Sequence, residues 1–375
     1  GRRSSARSRG VAAHPRQEKE KSLMAPVVTN VSPAQGAPAG GTSVTITGSG
    51  FTDATLVRFG PNGADFVLVS DTQITAKTPA GTGPVKATVT TPTGTSTQNV
   101  LFTYTSVPAL SSIRPASDPT SGENTLFGGL SPTSGPTSGG NTVTINGTNL
   151  SGAILVKFGN NSATILTNTP TQITVSAPAG PPSSVSVTVT TVGGTSNPLP
   201  YFYIAAPTVN ELSTHLGPAT GGNTVTVFGS NLTLTSAVSF GGNQATTINV
   251  VSDSQLTVTA PAGSGTVTVT VTTPGGTSTA TTTGNPHYTY LGAPVLASLT
   301  PSNGSDLGGD AIVLGGSNLA FTDAVTFGGL PASFSAISDT QVVATSPGGT
   351  PGTVNVVAHT PAGNSNTLPY VYAPS

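Results

Sequence analysis

Residues 32–51 read SPAQGAPAGGTSVTITGSGF, and the chain says this four times. SPTSGPTSGGNTVTINGTNL follows at 131–150, GPATGGNTVTVFGSNL at 217–232 and a worn copy, SNGSDLGGDAIVLGGSNL, at 302–319. Each copy is a turn rich in Pro and Gly, a glycine pair, a short alternating strand and a second Gly-containing turn. In the first copy Val44 and Ile46 point to one side of the strand while Thr45 and Thr47 point to the other. Such a repeat overrides any domain count taken from the length of 375 residues.

Landmarks beyond the quoted stretch keep step with it. Counted from the first Gly of each pair (Gly40, Gly139, Gly221, Gly308), a Phe-Gly comes 19 residues later, at Phe59, Phe158, Phe240 and Phe327. A Gln follows at 33 or 34 (Gln73, Gln172, Gln255, Gln341) and a Pro at 39 or 40 (Pro79, Pro178, Pro261, Pro347). A Tyr closes each unit at 64, 64, 69 and 64 (Tyr104, Tyr203, Tyr290, Tyr372). The basic period is 82 residues, with about 17 extra before the second core and five extra near 281–287.

Seven short strands are predicted in the first unit, over 27–31, 43–48, 54–59, 65–70, 73–77, 85–91 and 101–104. Seven strands at that density, each bounded by turn residues, indicate an Ig-like sandwich. A β-propeller blade would repeat at about half the observed period. The expected domains are 25–105, 131–204, 205–291 and 292–373, with 106–130 as a linker or insertion and 1–23 as a disordered basic head.

Composition agrees with an all-β body. Gly (47) and Pro (32) approach the level of disordered chains, but 35% of residues are hydrophobic and they recur in register. No helical period of apolar residues runs for three turns. Residues 1–23 hold seven bases and two acids, and the remaining 352 hold five bases and eleven acids. The body therefore lacks a basic patch that could neutralise phosphates, which argues against nucleic acid as a partner. The absence of Cys removes disulfides, thiolate metal sites and Cys nucleophiles. No apolar run reaches the roughly 20 residues of a membrane span, and no h-region marks a Sec-type signal peptide.

The head differs from all that follows it. The single Met, Met24, stands directly before the first repeat, and Glu18-Lys19-Glu20-Lys21 is encoded by purines under any codon choice. A purine-rich tract at that distance is where a bacterial ribosome-binding site lies, so translation is expected to start at Met24.

Residues that carry chemistry are sparse. His14, His215, His287 and His359 have no ligand-spaced partner and read as surface or turn histidines. Asp306 and Asp310 flank Leu307-Gly308-Gly309 and are the only metal candidates, for Ca²⁺ with backbone carbonyls. No catalytic or cofactor-binding residue is expected, and the Gly-rich segments never open a helix as a phosphate loop does. Tyr201/Tyr203, Tyr288/Tyr290 and Tyr370/Tyr372 each share one face of a last strand and read as core cover rather than sugar-stacking platforms. The least repetitive stretch, 108–130, holds Arg114, Asp118, Glu123 and Phe127, the partner-binding candidates.

Pro-x-x-Gly, then Gly-Gly-Thr/Asn, Val-Thr-Ile-x-Gly, Phe-Gly and a terminal Phe/Tyr-x-Tyr resemble the IPT/TIG family of Ig-like E-set domains across residues 25–372. The resemblance implies an all-β chain, a tandem array of four immunoglobulin-like (E-set, IPT/TIG) β-sandwiches. The fourth copy departs most, with Asp310-Ala311 in place of Thr and Leu314-Gly315-Gly316 at the turn. The family includes receptor ectodomain modules, transcription-factor dimerisation domains, accessory domains of starch-acting enzymes and tandem bacterial surface proteins, so function is not inherited from the fold. The expectation is a non-enzymatic structural or adhesive stalk or filament, outside the cell or on its surface. It would use no cofactor and bind a protein or polysaccharide, or its own copies through poorly guarded strand edges. A carbohydrate-binding accessory array and a bacteriophage virion structural protein are the alternatives.

Overall fold

The computed structural model describes residues 24–111, 128–279 and 286–375, and every helix-or-strand element among them is a strand. The first repeat comprises β1 (Val27–Ser32), β2 (Gln35–Gly36), β3 (Ser43–Ser49), β4 (Leu56–Phe59), β5 (Asn62–Ser70), β6 (Gln73–Lys77), β7 (Gly83–Thr91), β8 (Gly94–Thr95) and β9 (Leu101–Tyr104). One layer runs β1-β3-β6-β5 and the other β4-β7-β9-β2, with β8 folded back on β7. β5 joins them, pairing β4 through residues 62–64 and β6 through 65–70. The first edge segment also changes layer, at the cis Ser32-Pro33 bond: β1 lies antiparallel to β3, and β2 lies parallel to β9. All seven expected strands are present. The two-residue β2 and β8 were not foreseen, because two residues are too few to show alternation.

The same strand order recurs in the other repeats, there as two separate sheets each. Alternation along each strand fills the interior. In the third repeat Val225, Val227, Val238, Phe240, Leu256, Val258, Val269, Val271, Tyr288 and Tyr290 form one buried cluster. Equivalent clusters occupy the first and fourth repeats. Phe240 meets Tyr288 edge-on at 5.1 Å and Tyr288 meets Tyr290 at 5.0 Å. Such a pair contributes about 0.5–1.5 kcal/mol beyond its buried area.

Three of the spaced landmarks converge at one pole of each sandwich. The first glycine of each pair has positive φ (81°, 66°, 67° and 75° at Gly40, Gly139, Gly221 and Gly308). A side chain there would strike the backbone of Pro79, Pro178, Pro261 or Pro347, so the close approach itself requires Gly. The closing tyrosines donate to the same proline carbonyls, Tyr104 to Pro79 at 2.6 Å, Tyr290 to Pro261 at 2.9 Å and Tyr372 to Pro347 at 2.6 Å.

The stretch 106–130 is not simply a linker. Ala109–Leu110 pairs with Thr148 and Gly147, and Leu130–Ser131 pairs with Ile145 and Thr144, so both belong to the first strand of the second sandwich. In the first repeat the equivalent strand runs unbroken from Val27 to Ser32, with a bulge between Val28 and Asn30. The extra residues enter at that bulge, where a strand already yields one residue from its ladder.

Candidate functional site

The residues that recur are engaged in holding loops. Asp71 accepts from the Gly50 and Thr52 amides at 3.4 and 3.2 Å and from the Thr52 hydroxyl at 2.7 Å. Asp253 accepts from the Asn231 amide at 3.2 Å and the Thr233 hydroxyl at 2.8 Å, and Asp339 from the Asn318 amide at 3.4 Å. Each of these aspartates lies in a Ser-Asp-Thr/Ser-Gln segment that runs into the Gln-led strand. The serine makes the turn, accepting from the amide two residues on at 3.2 Å in each case, while the aspartate reaches across to another loop. Asn149, Asn231 and Asn318 sit there at φ 57°, 58° and 58°. Their side-chain amides donate to Val107, Ala206 and Ala293, tying down the incoming chain.

The Thr233 hydroxyl, with the backbone amides of Asn231 and Thr233, holds the Asp253 carboxyl below its ordinary pKa against a smaller opposing effect of desolvation. A depressed folded-state value contributes stability above the unfolded pKa of about 3.9, which is lost as pH falls through the folded value. The third repeat of the wild-type chain is therefore expected to lose more Tm below about pH 4 than that of Asp253→Asn. Calorimetric scans from neutral pH downward check this, and parallel curves for the two proteins would refute it.

A second recurring pair lies deeper. The Tyr201 hydroxyl lies 2.9 Å from the Asn141 amide nitrogen, and Tyr288 donates to Asn223 Oδ1 at 2.8 Å. Tyr370 faces Asp310 at 3.5 Å, while the first repeat has Phe102 and Thr42 at these places. Burial pushes the hydroxyls of Tyr201, Tyr288 and Tyr370 above their ordinary pKa. The tyrosine pairs are thus core, their rings almost fully buried, and offer no stacking surface to a sugar.

Asp306 and Asp310 are each engaged within the fold. Asp310 accepts from the Ser305 amide at 2.7 Å and stands where the second and third repeats carry Asn. Asp306 accepts from the amide and hydroxyl of Ser375. Among the described residues no group of three or more His, Cys, Asp or Glu could hold a metal ion. Arg114, Asp118, Glu123, Phe127 and His14 lie outside the described residues, as does the basic head. His215 Nε2 meets Glu211 Oε1 at 2.6 Å and His359 Nδ1 meets Asp323 Oδ1 at 2.5 Å, both pairs partly exposed. No helix among the described residues is long and apolar enough to cross a membrane.

One edge strand of each sandwich is shaped against pairing. The outer strand that pairs with the Gln-led strand is bulged in every repeat, between Leu68 and Ser70, Ile165 and Thr167, Val250 and Ser252, and Ala336 and Ser338. A bulge twists an edge away from a partner strand, so shape replaces the missing charges.

The sequence profile of the IPT/TIG domain matches residues 26–104, 126–203, 207–290 and 294–372. A search of curated proteins finds no match. Among solved structures, the extracellular region of plexin A4 is similar at 20% identity and TM-score 0.35, covering 91% of this chain and 30% of that one. Invasin, a bacterial integrin-binding protein, is similar at 15% identity and TM-score 0.28, covering 94% and 79%. SGBP-B from a xyloglucan utilization locus of Bacteroides uniformis is similar at 18% identity and TM-score 0.23, covering 81% and 70%. The chain thus spans under a third of that plexin chain.

Proposed function

Because the chain belongs to the IPT/TIG domain family, in four tandem copies, we propose that it is a non-enzymatic adhesive array, a repeat stalk displayed outside the cell or on its surface. The observation that carries this reading is the occupation of the recurring polar residues: the aspartates, asparagines and tyrosines shared by the repeats already bond within their own sandwich. What remains for a partner is the outer face of each repeat, multiplied along the chain. Those faces are rich in hydroxyls, as where Thr266 meets Thr289 at 2.8 Å and Thr272 meets Thr277 at 3.0 Å. Uncharged hydroxyl faces favour a polysaccharide partner over a charged one.

The intact chain is expected to bind immobilised cell-wall polysaccharide with an apparent affinity that climbs with ligand density, as linked weak contacts do. Surface plasmon resonance at graded densities measures this. One-to-one binding that ignores density would overturn the array reading.

A further inference from the structure

The third repeat carries a surface row that the other three lack. Phe228, on the strand Thr224–Ser230, is paired on one side with Glu211 and on the other with Gln255. Its strand neighbour Val227 is buried while Phe228 is 39% exposed, so the ring is on the outer face. Residues directly opposed across a ladder project to the same side with Cβ atoms about 4.5–5.5 Å apart. Glu211, Phe228 and Gln255 therefore form one continuous outward row.

The groups around the ring are polar, and two are free to bond. Glu211 Oε1 holds His215 Nε2 at 2.6 Å and the Leu212 amide at 3.1 Å, leaving Oε2 without a protein partner among the described residues. His215 Nδ1 lies 2.8 Å from the His287 carbonyl, so the imidazole braces the carboxylate. The side-chain amide of Gln255 also has no protein partner among the described residues. A single exposed Phe is ordinary on a protein surface. Here the internal comparison makes it specific: the equivalent residues are Thr47, Asn146 and Gly315 for Phe228, and Asn30, Gly129 and Ser298 for Glu211. Position 215 is matched by Ala34, Thr133 and Ser302.

We propose that this face of the third repeat binds one pyranose ring of a neutral polysaccharide, its C–H face on Phe228 and its hydroxyls on Glu211 and Gln255. The ligand must be amphipathic on the scale of one side chain, since an apolar ring lies between an acceptor and an amide. A sugar ring meets that demand. A protein hot spot would require a larger desolvated apolar pocket around the aromatic anchor, and the cross-strand neighbours of Phe228 are polar. The site rests on the adhesive-array reading and gives it a ligand class.

The test is native affinity electrophoresis of the intact chain through gels containing soluble starch, mixed-linkage β-glucan, xyloglucan or galactomannan. At least one polysaccharide is expected to retard the wild type. Phe228→Thr, which installs the residue of the first repeat, is expected to weaken that binding about tenfold or more, the scale of one aromatic stacking contact. Phe202→Thr, at an exposed Phe of the second repeat, serves as control and is expected to migrate as wild type. Equal retardation of Phe228→Thr and wild type would place binding elsewhere and overturn this site, leaving the array reading in place. Absence of retardation in all four gels would overturn the saccharide ligand.

Discussion

Gly221→Ala is expected to destabilise the third repeat by about 2–5 kcal/mol, while Gly222→Ala next to it costs about 1–2 kcal/mol. Both residues have positive φ, 67° and 93°, so both substitutions carry the left-handed penalty. They differ in what a methyl group meets. At Gly221 it would lie 2.5 Å from the Pro261 carbonyl oxygen and 2.6 Å from that of Ala260, whereas nothing lies within 4 Å at Gly222. Backbone carbonyls cannot rotate away as a side chain does, so the turn must shift and disturb the Tyr290 bond to Pro261. In a domain of this size the larger cost lowers one calorimetric transition by about 10 °C or more. Equal shifts for the two variants would show that the proline contact does not set the requirement for glycine.

Asn223→Ala is expected to cost the same repeat about 1–3 kcal/mol, because it leaves the buried Tyr288 hydroxyl without an acceptor. Adding Tyr288→Phe should return much of that loss, since removing both partners leaves no orphaned polar group. The first repeat already dispenses with the tyrosine hydroxyl, carrying Phe102 and Thr42 at these places. The fit is tight: a side chain at Gly217 would fall on the Tyr288 hydroxyl. A double-mutant cycle read by calorimetry should give a coupling of about 1 kcal/mol or more between the two positions. Strict additivity would mean the bond contributes nothing.

These two predictions also mark where the sequence was legible. The glycine pair, the proline and the closing tyrosine showed themselves as recurring landmarks because all three meet in one contact, even where five extra residues lengthen the third unit. Strands such as Ser43–Ser49 were legible because Val44 and Ile46 are buried between outward threonines. The Asn223–Tyr288 pair was not, since each residue has a sufficient local explanation, one in a turn and one in a core strand. The same holds for Asp71, Asp253 and Asp339, whose turn chemistry concealed a second bond to a distant loop. Glu211, His215 and Phe228 look scattered along the chain, and only the ladder register sets Glu211 beside Phe228. Aligning the four copies position by position would have exposed them, because Phe228 replaces Thr, Asn and Gly.

The interrupted first strand of the second sandwich has its own consequence. The Ser111 amide donates to the Asn146 carbonyl at 3.0 Å, and the Asn146 amide donates to the Gly129 carbonyl at 2.8 Å. The chain thus departs and returns beside a single residue of the neighbouring strand. Closing a flexible loop costs only about 0.6 kcal/mol more for each doubling of its length, so added length at this seam weighs little on the sandwich. That seam is a natural graft point, where foreign sequence could be carried without altering the scaffold beneath.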